Sequence, residues 1–222
     1  MKIVSRTLIF ATFFGNCIII GLLLTALVSN SWIYSTAHPK TKITSNNQIG
    51  TIEFGLFNGY KSFDHGYGVR KTYIDVIENL KLEPEFMSYW LWLFTGKKVQ
   101  LKNSENINFI LFSIIALTAL GAGFSLFSSA VSAVASVIGT IKKKGKIYLL
   151  VVSNIASGTG QIISFICWMI QFFQYLTNNT LMVTDMDKWT TNDNTRFGYS
   201  FYFIIIAFLI VIVNIFLLTS GT

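Results

Sequence analysis

Four stretches of this chain carry no Asp, Glu, Lys, Arg or His: Thr7–Ser29, Ile107–Thr140, Ile147–Asn179 and Phe197–Thr222. An apolar helix needs roughly 20 residues to cross a hydrocarbon core of about 30 Å, and each stretch meets that length. The pattern predicts a membrane α-helical protein built as a four-helix transmembrane bundle. Its composition agrees: 52% of residues are hydrophobic and 12% charged, far from the soluble norm of roughly 25% charged. The chain, 1–222, reads as one tetraspan domain with spans at 7–29, 107–140, 147–176 and 197–219. A long loop, 30–106, a short loop, 141–146, and a second outer loop, 177–196, join them.

Orientation follows from the cations. Lys2 and Arg6 precede the first span, and Lys142, Lys143, Lys144 and Lys146 fill the short loop, with no acid in either segment. Both termini are therefore expected in the cytoplasm of a multi-pass plasma-membrane protein. All 10 acids lie in the outer loops, so the net charge of +7 comes mostly from six cytoplasmic cations. That placement points to anionic lipid and not to nucleic acid. The second span is charge-free for 34 residues, about 50 Å of helix, so its end should project beyond the bilayer. The four lysines then stand beside the inner leaflet, where each gains about 1 kcal/mol with anionic lipid; the same cations also set topology. The first span lacks a small-residue cleavage site and reads as a retained signal anchor.

Cysteine use is sparse, with Cys17 in span one and Cys167 in span three. No disulfide can staple the long loop, and both thiols are expected to be free, buried small hydrophobes.

In that loop the period changes from helical to alternating. Trp32 and Tyr34 alternate with polar neighbours, Ser45-Asn46-Asn47-Gln48 signals a turn, and Ile52, Phe54 and Leu56 form one face of a strand. Gly55, Asn58-Gly59, Gly66 and Gly68 mark bends or bulges, so a small extracellular antiparallel β-sheet is expected. Trp32 is expected to tuck its ring under the sheet while its N–H meets the headgroups. After Arg70 the spacing of Tyr73, Val76, Ile77 and Leu80 predicts a short extracellular helix ended by Pro84. The aromatic run Phe86–Phe94 is too short to span; it belongs either at the membrane interface or in the core of the outer domain.

These residues carry a resemblance. Trp32 shortly after span one, the segment Phe54-Gly55-Leu56-Phe57-Asn58-Gly59, the Gly-rich turn ending in Arg70 and the four-span layout resemble the clarin family, within the wider claudin-like group. Phe57 stands where claudins carry a second Trp, and the claudin cysteine pair is missing, which favours the clarin side. The resemblance implies a claudin-like bundle in which Trp32, Phe54, Gly55, Leu56, Phe57, Gly59 and Arg70 define the fold. It also implies a role in sensory or epithelial membrane organisation, as an auxiliary subunit of a channel, adhesion or cytoskeleton-linked complex. Claudin-type cell–cell adhesion or a paracellular barrier is the alternative.

Inside the spans the polar residues are amides and hydroxyls: Asn16, Asn154, Gln161, Gln171 and Asn214, with scattered Ser and Thr. Such groups hydrogen-bond between helices for roughly 0.6–2 kcal/mol each. Transport normally needs an intramembrane acid, base or broken helix, so a small transporter is disfavoured. Small residues recur every fourth position: Gly121, Ser125, Ser129 and Ala133 in span two, Ala156, Gly160 and Ser164 in span three, and Gly21, Thr25 and Ser29 in span one. Close packing of spans one to three is expected there, with span four facing lipid or a partner.

Catalytic signals are weak. His38 and His65 have no metal-ligand spacing, and Asp64-His65 sits in a Gly-rich turn with no enclosing pocket expected. Asp185 and Asp187 read as solvated charge. Asn178-Asn179-Thr180 is a glycosylation sequon close to the end of span three. No enzymatic activity, cofactor or metal is expected; the expected partners are membrane lipids and other membrane proteins.

Overall fold

The computed structural model describes residues 3–40, 49–64, 68–75, 103–141, 147–177, 180–181, 185, 188–191 and 194–220. Its helices are α1 (Ile3–Val28), α2 (Asn103–Ile141), α3 (Ile147–Gln171) and α4 (Tyr199–Ser220). A π-helical turn, Phe172–Leu176, extends α3. Among the described residues, four helical segments are long and apolar enough to cross a membrane: Thr7–Val28, Ile114–Thr140, Tyr148–Gln174 and Tyr199–Ser220. Charge-free helices suit this role because they satisfy their backbone groups internally where no water is available.

The helices pack in the ring α1–α2–α3–α4, each against two neighbours. Their buried residues repeat every seven positions. Examples are Thr12, Ile19 and Ala26 in α1, Thr118, Ser125 and Ser132 in α2, Asn154, Gln161 and Trp168 in α3, and Ile204, Val211 and Leu218 in α4. A seven-residue repeat keeps one seam facing the neighbours, as in left-handed helix packing. The bundle is inverted relative to a soluble one. Its seam collects hydroxyls and amides, while Phe14, Phe127, Ile166 and Phe216 stay exposed on the outside.

Above one end of the bundle lies an antiparallel sheet of β1 (Ile33–Pro39), β2 (Gly50–Phe54), β3 (Asn58–Asp64), β4 (Val69–Asp75), β5 (Trp189–Thr190) and β6 (Thr195–Phe197). The order is β4-β3-β2-β1-β5, and β6 also pairs with β1. The second loop therefore completes the sheet, a role absent from the expectation of solvated charge. Lys61 on β3 forms an ion pair with Asp185 of that loop at 2.6 Å, and Phe63 stacks on Trp189. Asp187 lies outside the described residues.

Four further expectations need correction. The segment after Arg70 continues as β4 through Asp75 instead of entering a helix, because seven residues pair in register with β3. Val76, Ile77 and Leu80, and the aromatic run Phe86–Phe94, lie outside the described residues. Leu56 is not part of β2; it sits fully buried in the turn between β2 and β3, while Asn58-Gly59 begins β3 instead of bending the chain. Phe197 ends β6, so the fourth helix starts at Tyr199. The turn signal at Ser45–Gln48 falls outside the described residues, as do His65 and Gly66.

Candidate functional site: a polar seam beneath the sheet

At mid-bundle the small residues of α2 and α3 bring two backbones together. A side chain on Gly160 would meet the Gly121 carbonyl at 2.7 Å, and one on Gly121 would meet the Gly160 carbonyl at 2.9 Å. Contact that close lets short hydroxyls reach across. Ser157 shares hydrogen bonds with Ser125 at 2.9 Å and Ser129 at 2.7 Å. The Ser164 hydroxyl donates to the Thr118 carbonyl at 2.9 Å, and the Gln161 amide donates to Ser125 at 2.9 Å. Ala133 is buried on the same helix, whereas Ala156 is only half-buried, one position off the seam.

Towards the end remote from the sheet, all four helices meet around Ser132. Its hydroxyl accepts the amides of Asn16 at 3.0 Å and Asn154 at 2.7 Å. Asn214 donates to Asn16 at 3.4 Å, which ties α4 into the cluster, and Thr12 lies 3.2 Å from Ser136. Span four is thus an integral wall of the bundle. Its exposed Tyr202, Leu209 and Phe216 still form a lateral apolar face.

The stripe Gly21, Thr25, Ser29 does not pack between helices. Gly21 and Thr25 are exposed, and a side chain on Gly21 would meet nothing. A four-residue step advances about 40° beyond a full turn, so such a stripe drifts off the packing seam. Asn16, Ile19, Leu23 and Ala26 hold the seam in α1 instead. Cys17 is exposed and Cys167 buried, and both are free, so the expectation of two buried thiols holds for Cys167 alone.

The junction with the sheet is built around Trp32. Its ring is fully buried, 4.6 Å from the ring of Trp168. The indole N–H does not face the headgroups: it donates to the Ala26 carbonyl at 2.6 Å. That carbonyl lies in the last turn of α1, where no helical donor remains. Gly55 and Gly198 flank this linker. A side chain on Gly55 would collide with the Ser29 carbonyl, and one on Gly198 with the Ser31 carbonyl. Gly198 donates to the Trp32 carbonyl at 2.8 Å, a second clamp that sequence reasoning missed. Phe54 is half-buried, Phe57 is exposed in the turn, Gly59 is buried against Glu53 and Phe54, and Arg70 is exposed on β4.

Lys142, Lys143, Lys144, Lys146 and Asn178 lie outside the described residues. Thr180, the third residue of the sequon, bonds through its hydroxyl to Thr191 at 3.1 Å. No group of three or more His, Cys, Asp or Glu residues able to hold a metal occurs among the described residues. Every buried polar residue described is Ser, Thr, Asn or Gln. Compared with known families and curated proteins, the chain matches no protein-family model and no curated sequence.

Proposed function

We propose that this chain is a clarin-like tetraspan protein of the plasma membrane that organises, or serves as an auxiliary subunit of, a larger channel or adhesion complex. Its contacts would be lateral, through the bundle, and extracellular, through the sheet. The observation that carries this reading is the inversion of the bundle: interior hydroxyls and amides bond from one helix to the next, and large apolar side chains are left exposed on the outside for neighbours. A neutral seam of this kind holds helices together and offers no charged relay for ions. Of the residues of the resemblance, Trp32 and Gly55 serve the junction between bundle and sheet, while Leu56 and Gly59 are buried in the β2–β3 hairpin.

Affinity purification of the full chain in mild detergent, followed by mass spectrometry, tests the proposal. It requires a stoichiometric membrane partner; recovery of the chain alone under several mild detergents would contradict it. A claudin-type adhesive role draws support from one feature: β4 ends the strand order and exposes Val69 and Tyr73. Terminal strands can pair with another copy. Expression in non-adherent cells with freeze-fracture imaging separates the two readings, since continuous intramembrane strands would favour adhesion.

A further inference from the structure

The sheet has two unlike faces. Ile33, Ile52, Phe63 and Ile74 are buried on the face turned to the bundle and second loop. On the opposite face, cross-strand register aligns one row: Arg196 with Tyr34, Tyr34 with Glu53, Glu53 with Tyr60 and Tyr60 with Tyr73. Directly opposed residues point the same way, so these five side chains stand in line at the strand spacing of about 4.8 Å. Tyr34 is 40% and Tyr73 54% exposed. Arg196 is exposed, and Glu53 and Tyr60 are half-buried.

This row lies near the end of the sheet that joins the bundle, one residue beyond Ile33, Phe54 and Phe197. Arg196 precedes the first residue of α4 by three positions, Tyr34 follows the last residue of α1 by six, and Glu53 is two residues from Gly55, which rests on the Ser29 carbonyl. With α1 and α4 crossing a membrane, that placement would bring the row to headgroup level, where tyrosines settle.

Its charges are ordered. A carboxylate stands between two phenol rings, and a guanidinium lies one strand beyond the first of them. We propose that this row binds the phosphocholine headgroup of a membrane lipid, with the quaternary ammonium over Glu53 between Tyr34 and Tyr60 and the phosphate on Arg196. A quaternary ammonium donates no conventional hydrogen bond, so aromatic faces and a carboxylate are the groups that recognise it. A guanidinium is the preferred phosphate donor. Glu53 and Arg196 stand two strands apart, roughly 10 Å; the two-carbon link between phosphate and ammonium spans part of that distance, and the long Arg196 side chain would have to supply the rest. The Lys71 ammonium lies 4.5 Å from the Tyr60 ring centroid, so a bound quaternary ammonium would share that ring with a cation of the protein and rest mainly on Tyr34 and Glu53.

Other occupants fit less well. A purely anionic headgroup would meet Glu53 at the centre of the row. A second copy placed face to face about a two-fold axis through the row's centre would set Glu53 against itself. The inference goes beyond the organiser role and depends only on the helices crossing a membrane.

Native mass spectrometry of the full chain in detergent, titrated with phosphatidylcholine, phosphatidylethanolamine and phosphatidylglycerol of identical acyl chains, tests it. Phosphatidylcholine should bind in preference to the other two. Glu53→Gln and Tyr34→Leu should each weaken that binding about tenfold; Glu53→Gln, which removes the repelling carboxylate, should raise phosphatidylglycerol binding, and Tyr34→Leu should leave it unchanged. Arg196→Gln should also weaken it, and Ser62→Ala, on the same face but outside the row, should not. Unchanged thermal midpoints establish that the variants are folded. The proposal is overturned if phosphatidylcholine and phosphatidylethanolamine bind alike, if Glu53→Gln weakens all three lipids equally, or if soluble phosphocholine binds as tightly as the intact lipid.

Discussion

Replacing Trp32 by Phe isolates the contribution of one N–H at the junction of bundle and sheet. The indole donates to the Ala26 carbonyl at 2.6 Å, and both residues are fully buried. Phe keeps an aromatic ring opposite Trp168 but leaves that carbonyl without its indole donor and removes part of the ring. An unsatisfied buried carbonyl costs about 1–3 kcal/mol, and the void left by the smaller ring adds about 1 kcal/mol. The expected loss is about 2–4 kcal/mol. For a chain of this size each kcal/mol moves a thermal midpoint by about 2–4 °C. Thermal unfolding in detergent, followed by size-exclusion recovery, should therefore show a fall of roughly 5–15 °C. Phe57→Leu, at a ring that is 39% exposed, should shift stability by no more than about 0.5 kcal/mol. Equal midpoints for the two variants would refute the assignment of Trp32 as the cap of α1.

Other substitutions probe the seam and the sheet by the same assay. Gly160→Leu should destabilise by about 1–3 kcal/mol or more, because its side chain must enter the space of the Gly121 carbonyl; wild-type stability would contradict the close α2–α3 crossing. Ser132→Ala strips the shared acceptor from Asn16 and Asn154 and should cost about 1–3 kcal/mol. Gly21→Ala, on the exposed face of α1 with nothing near it, should be neutral or stabilising by up to about 1 kcal/mol. A double-mutant cycle on Lys61 and Asp185, whose side chains are only 16% and 19% exposed, should give a coupling of about 1–3 kcal/mol that added salt reduces only in part; a coupling near zero, or one abolished by salt, would show that the pair is solvated.

The membrane helices are legible because lipid imposes one requirement on every position, and absence of charge over the needed length reports it directly. The packing seam is harder to read. Its period is seven residues, whereas small residues also recur by chance at four, and only contact with a neighbour distinguishes Asn16 from Gly21. In α2 the two spacings coincide over Gly121, Ser125 and Ser129, because this helix buries a wide face between α1 and α3. The sheet shows the reverse difficulty. Tyr73 fits a helical spacing when taken with Val76 and Ile77, yet pairing with Tyr60 across the strands places it in β4. The contribution of the second loop is non-local: Thr195 to Phe197 gain their strand geometry from β1, more than 150 residues earlier in the chain, and no local pattern announces that partner.

That pairing also supplies the most direct test of the architecture. A sheet that joins β1 to β6 requires both long loops on one side of the membrane, hence four crossings with the short loop on the other. In a Cys17→Ser, Cys167→Ser background, single cysteines introduced as Ser62→Cys, Asn194→Cys and Lys143→Cys can be labelled in cells with a membrane-impermeant maleimide. Ser62→Cys and Asn194→Cys should both react in intact cells, and Lys143→Cys only after permeabilisation. Labelling of Ser62→Cys and Asn194→Cys from opposite sides, or of Lys143→Cys from the same side as Ser62→Cys, would contradict the four-span bundle on which the account rests.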